Sequence, residues 1–487
     1  MASTLFDAID HTADTRADRP AVIDDGRVIT FAALRRQVRT LASRLTDHGV
    51  RPGDRVGLLL RNSPEFVIAY LASVAAGAIV VPLNERYAQK EVVGLVDACG
   101  ISLLITAEPF RPLCEQARSA LLLAEAWGDL DCDTHVWSPP AVDPDAPVMY
   151  QFSSGSTGRP KRIARTHHQL LFELNSLAET IGFQPDDRFV GAAPFSHVNG
   201  LMRTMLSSLY AGACLYPVAR IDRRAIAALI ARERITVFIA VPFMFIALAE
   251  THFNPAPDWG ALRLCISASA PLPARHNRTF HARFGRYVRQ LYGSTETGTI
   301  SVNLAPDIEG SLESVGQPIR GVHVALVGED GRPVEPGEAG EIIVHSPGAI
   351  AAYDAGGDAN RQSFRDGGFL TGDLGRLDRQ GMLSLHGRLT SFINKSGFKI
   401  DPREVEELLE EHPSVREAAV FGVPTPHGDE RVKALVVLRA PCTPSELAGY
   451  LASRIADFKV PSTIEFCSEL PKTPTGKIRR GVLRTAT

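Results

Sequence analysis

Apolar and polar positions in the first half of the chain alternate between two periods. A helical run opens at Thr30-Phe31-Ala32-Ala33-Leu34 and continues to about Leu45, with the Thr30 hydroxyl placed to cap it. Arg55–Leu60 then reads as a strand. A helix from Pro64, a strand at Ile79–Val81, a helix over Gln89–Cys99 and a strand at Ser102–Ile105 follow. This rhythm predicts a parallel sheet covered by helices. It recurs around Arg223–Ile230, Thr236–Ala240, Leu262–Ser267 and Arg289–Tyr292. Phe66–Leu83 is uncharged and long enough to meet the length rule for a membrane span. Its small residues, Gly77 and the terminal Pro82 instead predict a buried helix, a turn and a buried strand.

The tail has a different texture. From about Gly387 it carries an acidic amphipathic helix, Pro402–Leu409, short strands at Glu417–Gly422 and Val432–Leu438, and a helix over Pro444–Arg454. That is α+β character. A boundary at Gly387-Arg388-Leu389-Thr390 divides the chain into units 1–386 and 387–487.

Composition narrows the function classes. At about 150 residues per domain, 487 residues suggest two to four units. Hydrophobic residues are 45% and charged residues 22%, so extensive disorder is disfavoured. A net charge of -3 favours neither nucleic acid nor an anionic membrane as partner. The seven cysteines are scattered and never form CxxC, which points to a reduced, cytoplasmic setting. The first twenty residues contain acidic side chains and no apolar core, unlike a signal peptide.

Four segments carry candidate chemistry. Ser153-Ser154-Gly155-Ser156-Thr157-Gly158-Arg159-Pro160-Lys161 combines two glycines, hydroxyl donors and two cations after the strand Val148–Tyr150. Its backbone amides can converge into an anion nest, so polyphosphate is a natural occupant and a flexible linker the plain alternative. Tyr292-Gly293-Ser294-Thr295-Glu296-Thr297-Gly298 follows an apolar strand, where α/β sheets place ligands. Glu296 there suits Mg²⁺ or simply stabilises a turn. Asp373, in Thr371-Gly372-Asp373-Leu374, suits ribose hydroxyls or its own turn. Lys477, after the Thr475-Gly476 turn, suits developing negative charge or belongs to an exposed basic tail.

In this order, the four segments resemble the core motifs of the adenylate-forming superfamily of acyl-CoA synthetases, luciferase-like enzymes and peptide-synthetase adenylation domains. The resemblance runs from about Phe31 to Arg480 and includes Pro194–Gly200, Ser314–Pro318, Gly387-Arg388 and Lys395–Ile400. It implies an α/β fold, with a large N-terminal domain of several subdomains and a small, mobile α+β C-terminal domain. The Ser153–Lys161 loop would cradle the β- and γ-phosphates of ATP. Ser269, Ala270, Pro271, Tyr292 and Gly293 would flank adenine, and Thr295 would contact the α-phosphate. Glu296 would bind Mg²⁺, and Asp373 and Arg388 would hold the ribose. Lys477 would bridge acid and phosphate. His197 would line the acid channel, with Asn199, Phe243, Gly293 and Gly298 near it. The loop Gly397-Phe398-Lys399 would admit the pantetheine thiol of CoA or of a separate carrier protein.

Some positions depart from the family pattern. Arg162 replaces a usual Gly, Ala268-Ser269 replaces Gly-Gly, and Thr390-Ser391 stands where charged hinge residues are common. Ala351-Ala352-Tyr353 lacks the usual Gly before Tyr. Phe195–Asn199 contains no carboxylate to pair with an α-ammonium, so an α-amino acid is disfavoured. Val241, Phe243, Met244, Phe245 and Gly298 suggest an apolar pocket for an aryl or short-to-medium aliphatic acid, with core packing of Val241–Phe245 the equal alternative. The expected activity is acid adenylation followed by thioester formation. A nucleotide-binding protein without turnover is the competing class, and Lys161, Glu296 and Lys477 weigh against it.

Overall fold

The computed structural model describes residues 4–483 except 132–136, 154–160, 329–330, 336, 355–356, 389–392, 396–397, 425–429, 456, 473–477 and 480–482. At Ser153, Lys161, Arg388, Phe398 and Lys399 only the backbone course is described.

The predicted helix after Thr30 spans Phe31–Asp47, and Thr30 Oγ1 accepts the Ala33 amide at 3.2 Å. Its apolar stripe of Leu34, Val38, Leu41 and Leu45 is buried, which is what holds a helix of otherwise charged composition in place. The uncharged stretch folds as anticipated: helix Pro64–Ala75 capped by Ser63, a turn at Gly77, and strand Ile79–Pro82. No helix among the described residues is long and apolar enough to cross a membrane.

Two sheets organise the large unit. The first has strands in the order Ala120–Leu123, Leu103–Thr106, Arg55–Leu59, Ile79–Pro82, Pro147–Ser153 and Lys161–Thr166. It is parallel until the last pair, an antiparallel hairpin in which Ser153 and Lys161 face each other. The second sheet places Cys214–Pro217, Arg188–Gly191, Val237–Ala240, Leu264–Ala268 and Val288–Ser294 side by side in parallel. After Ser294 the chain turns back, and every further strand from Gly298–Val302 to His323–Val327 is antiparallel. The wholly parallel expectation fails there because these strands pair antiparallel with register shifts at bulges, and the alternation of strand with covering helix that marks the parallel half is lost.

In the tail, Val415–Pro424, Glu430–Leu438 and Thr463–Phe466 form a three-stranded sheet under the helices Pro402–Glu411 and Pro444–Ala452. Ile393–Lys395 pairs with Phe398–Ile400 as a separate hairpin. The hydrophobic clusters of the tail begin at Ile393 and share no residue with those ending at Leu385. The two units meet through polar contacts: Arg275 Nη2 lies 2.6 Å from Glu410 Oε2, and Nη1 donates to the Glu407 carbonyl at 3.4 Å.

The N-terminal helix Leu5–Arg16 is tied to the core by a buried imidazole. His167 Nδ1 accepts the Leu5 amide at 3.1 Å. Burial pulls the His167 pKa down to about 4, with Asp7 opposing the shift and His168 adding to it. The unfolded chain takes up this proton below about pH 6.5, whereas the folded protein resists until about pH 4. Stability should therefore fall as pH drops through that window, by up to about 3 kcal/mol from this group. Urea unfolding at pH 7 and pH 4.5 measures it. His167→Asn keeps an acceptor near Nδ1 without titrating and should show a visibly smaller loss; equal losses would show that the imidazole is idle.

Candidate active site

The strand Val288–Ser294, interior to the large sheet, carries Tyr292 and Gly293 at its carboxyl end, and the chain reverses through Ser294–Gly298. Ser294 Oγ accepts the Thr297 amide at 3.1 Å and lies 3.0 Å from Thr297 Oγ1. Gly298 closes the turn with φ +70°, and a Cβ there would sit 2.2 Å from Glu173 Oε2. Only glycine fits both the backbone and the space.

Beneath this turn lies a buried ionic cluster that sequence reasoning missed. Arg165, Glu173 and Arg203 are 0%, 1% and 3% exposed. Glu173 Oε1 accepts the Thr299 amide and hydroxyl, each at 2.9 Å, and Oε2 accepts Arg165 Nη2 at 3.0 Å. Arg165 Nη1 donates to the Thr295 carbonyl at 3.3 Å, and Arg203 Nε donates to Thr299 Oγ1 at 3.0 Å. Burial pulls the Arg203 pKa down to about 10, against the opposing charge of Glu173, so it remains a cation at neutral pH. The cluster fixes the backbone of Thr295 from below and of Thr299 beside it. A signal was available: Glu173 interrupts the apolar face Leu170–Leu174–Leu177 of the helix His167–Leu177, and Arg165 shares the inward phase of its strand with Ile163.

Glu296 is largely buried, and its Oε1 accepts the Tyr353 hydroxyl at 3.1 Å. Burial and then the Glu296 charge raise the phenol pKa, so Tyr353 remains a donor. Among the described residues no three His, Cys, Asp or Glu side chains gather as a metal site. A cation at Glu296 would therefore be held by one carboxylate together with ligand oxygens and water, which is how Mg²⁺ commonly binds beside phosphates. Tyr292 Oη donates to Asp373 Oδ2 at 2.7 Å, and Asp373 faces Arg388 across paired strands. Tyr292, Asp373 and the Arg388 backbone thus come together. Ala270 and Pro271 are exposed just beyond the strand Leu264–Ala268. Ser269 before them has φ +79°, so the backbone keeps the shape that glycine usually takes, at a cost of about 1–2 kcal/mol. Arg162 pairs with Asp354 at 2.8 Å and covers the Tyr150 ring.

His197 follows the loop 191–196, which Asn62 holds by donating to the Gly191 and Ala193 carbonyls and accepting the Phe195 amide. Asn84 Nδ2 lies 2.9 Å from His197 Nε2, so that nitrogen accepts and Nδ1 carries the proton. A cavity of about 400 Å³ lined by Arg61, Asn84, Arg86, Pro194 and Arg220 opens beside it.

Of the two readings of Val241–Phe245, pocket or core, burial favours core for part of the segment. Met244 and Phe245 are buried in the core, where Phe245 packs against Phe238 and Phe280, whereas Phe243 is 52% exposed. A Cβ at Gly293 would meet the Gly298 carbonyl and Arg203 Nη2, and one at Gly298 would meet the Glu173 carboxylate. Asn199 is buried nearby in sequence to His197. Ser154–Pro160, Thr390, Ser391, Gly397 and Lys477 lie outside the described residues. Ser153 and Lys161 form the base of the phosphate-loop hairpin, and Phe398 and Lys399 lie on the Phe398–Ile400 strand.

Sheet order, the glycine-closed turn and the separate small tail define an adenylate-forming architecture. Residues 9–353 match the AMP-binding enzyme family and residues 404–477 match the AMP-binding enzyme C-terminal domain; the chain belongs to this family. A feruloyl-CoA synthase from Amycolatopsis sp is 36% identical over 95% of both chains. A sulfoacetate–CoA ligase from Cupriavidus necator is 31% identical over 98% of this chain and 97% of its own. The ATP-bound crystal structure of MatB from Rhodopseudomonas palustris matches with TM-score 0.90 at 28% identity, over 100% of this chain and 99% of that one. The apo form of the same protein gives 0.80 at the same coverage.

Removing the Glu173 charge leaves two buried guanidiniums without their counterion. Glu173→Gln should lower unfolding stability by about 3–5 kcal/mol. Denaturant titration reads this directly, and a change under 1 kcal/mol would show that the cluster is not a structural anchor.

Proposed function

We propose that the protein activates a carboxylic acid with ATP to acyl-AMP and pyrophosphate, and then transfers the acyl group to CoA. The carrying observation is the braced Thr295–Glu296 turn beside the Tyr292–Asp373 contact, in a chain of the AMP-binding enzyme family. As a family member it is an AMP-forming acid–thiol ligase that uses ATP, Mg²⁺ and CoA. The CoA ligases among its relatives favour CoA over a carrier protein as acceptor.

In the first half-reaction an acid oxygen attacks the α-phosphorus as the bond to pyrophosphate breaks. Both partners are anions, so catalysis rests on charge neutralisation and fixed donors. Thr295 would contact the α-phosphate, and its backbone cannot retreat because Arg165 holds its carbonyl. Mg²⁺, when bound at Glu296, would neutralise phosphate charge. Tyr353 would keep that carboxylate turned toward the nucleotide. Asp373 would take the ribose hydroxyls, and Lys477 would bridge the acid and the α-phosphate. The hairpin from Ser153 to Lys161 would hold the β- and γ-phosphates.

In the second half-reaction the thiol attacks the acyl carbonyl, a tetrahedral adduct forms, and AMP leaves. Residues 387–487 act as a lid whose rotation exchanges Lys477 for the Gly397–Lys399 loop. The better match to ATP-bound than to apo MatB supports a lid arranged for the first half-reaction. The basic cavity beside His197 suits the phosphates of an incoming CoA. One relative is named for feruloyl-CoA and another for sulfoacetate, so the family accommodates acids with very different remote ends.

Pyrophosphate release across a panel of acids, with and without CoA, tests the proposal. Release should require an acid and rise with CoA. Lys477→Ala should cut adenylation by about a hundredfold or more while leaving thioester formation from supplied acyl-AMP largely intact. Absence of release with every acid, or equal loss of both half-reactions, would contradict the proposal.

A further inference from the structure

The helical segment Val198–Tyr210 is buried and largely apolar, with Asn199, Arg203, Thr204, Ser207 and Ser208 as its buried polar residues. Leu201, Met202, Met205, Leu206 and Leu209 are fully buried, and between them stand Asn199 and Arg203. The centre of this helix, Leu201–Leu206, is π-helical. Thr204 Oγ1 donates to the Asn199 carbonyl and Ser207 Oγ to the Met202 carbonyl, which satisfies backbone groups in the widened turn. Such turns cost helix regularity and occur frequently at functional sites.

Charge and hydrogen bonding both remain open here. Glu173 receives Thr299 twice and Arg165 once, so its oxygens are engaged without Arg203. Arg203 contributes Nε to Thr299 Oγ1, but its Nη2 has no acceptor among the described residues. Asn199 is 4% exposed, and neither its Oδ1 nor its Nδ2 has a partner among the described residues. Two guanidiniums against one carboxylate leave a formal surplus of one positive charge in a nearly dry cluster. Burying an unmatched ion costs several kcal/mol unless a counterion arrives. The orphan Nη2 occupies the space beside Gly293, 2.6 Å from where a Cβ would stand. Gly293 and Asn199 are both positions that the family resemblance sets near the acid, together with His197.

We infer that Arg203, assisted by Asn199, is the specificity-determining group of the acid site and that the preferred acid carries a second anionic group, a carboxylate or sulfonate, remote from the reacting carboxyl. This rests on the proposed function for the location of the acid. A guanidinium edge with a free N–H gives such a group a charge-assisted bond, and the Asn199 amide supplies a second donor. The bound acid then completes the charge balance of the cluster. A purely hydrocarbon remote end would leave Nη2 unpaired, and sites with buried unpaired donors reject such analogues strongly.

Matched acid pairs test this. Glutarate against pentanoate, 3-sulfopropanoate against pentanoate, and 4-carboxycinnamate against 4-methylcinnamate differ only at the remote end. The wild-type enzyme should favour the charged member of at least one pair by tenfold or more in kcat/KM. Arg203→Gln should erase that preference through KM, and Arg203→Lys should partly restore it. Titration calorimetry of the same pairs reads binding without turnover. Arg203-dependent binding of a diacid in an enzyme that releases no pyrophosphate would support this inference and sink the adenylation reading. Preference of the wild type for the methyl member in every pair would overturn the inference without any variant. An Arg203→Gln enzyme that loses kcat equally with all acids would also overturn it, since Arg203 would then serve the reacting groups or the fold.

Discussion

The carboxylate of Glu173 is the fixed point of this molecule. It is charged, sits 1% exposed inside a helix face made of leucine, and accepts from Thr299 twice and from Arg165 once. A carboxylate in such a place is tolerated only when its oxygens are well occupied. Gly298 is shaped around it, because no side chain fits where Glu173 Oε2 stands. The turn from Ser294 to Gly298 therefore cannot slide along its strand. Thr295 and Glu296 are carried on that turn, which makes a buried ion pair the foundation for the nucleotide site proposed above.

The arrangement separates rigidity from chemistry. Arg165 and Glu173 work from below the turn and meet the site through backbone atoms. Tyr353 braces Glu296 from the antiparallel side, and Asn84 sets the protonation of His197 from the neighbouring sheet. Three parts of the chain thus fix three site residues independently. The C-terminal unit meets the large one by polar contacts such as Arg275–Glu410, which are weaker than a shared apolar core.

Much of this was legible in the sequence, in a physically uneven way. Phe66–Leu83 declared itself because an uncharged run broken by Gly77 has few other ways to fold. The tail helix at Pro402 declared itself through its sharp acidic and apolar faces. The antiparallel half of the large sheet did not, since its short, bulged strands lack the helix-strand rhythm that marks the parallel half. The order of motifs pointed to the family, but the apolar pocket read from Val241–Phe245 was largely core packing. Arg165, Glu173 and Arg203 escaped notice because their partners lie 130, 126 and 96 residues away. A charged residue on an apolar helix face is the only local trace of such a partnership.

Replacing the ion pair with hydrocarbon separates its structural and catalytic roles. In the double variant Arg165→Met/Glu173→Leu neither charge of the pair is stranded and only Arg203 loses its counterion, so the fold should be less destabilised than by Glu173→Gln, which strands both guanidiniums. The turn would nevertheless lose the anchors on the Thr295 carbonyl and the Thr299 amide. Acid-dependent exchange of pyrophosphate into ATP should then fall by about a hundredfold, the scale expected when reacting groups shift by about 1 Å. A well-folded double variant with exchange near the wild-type rate would contradict the claim that this buried pair positions the nucleotide site.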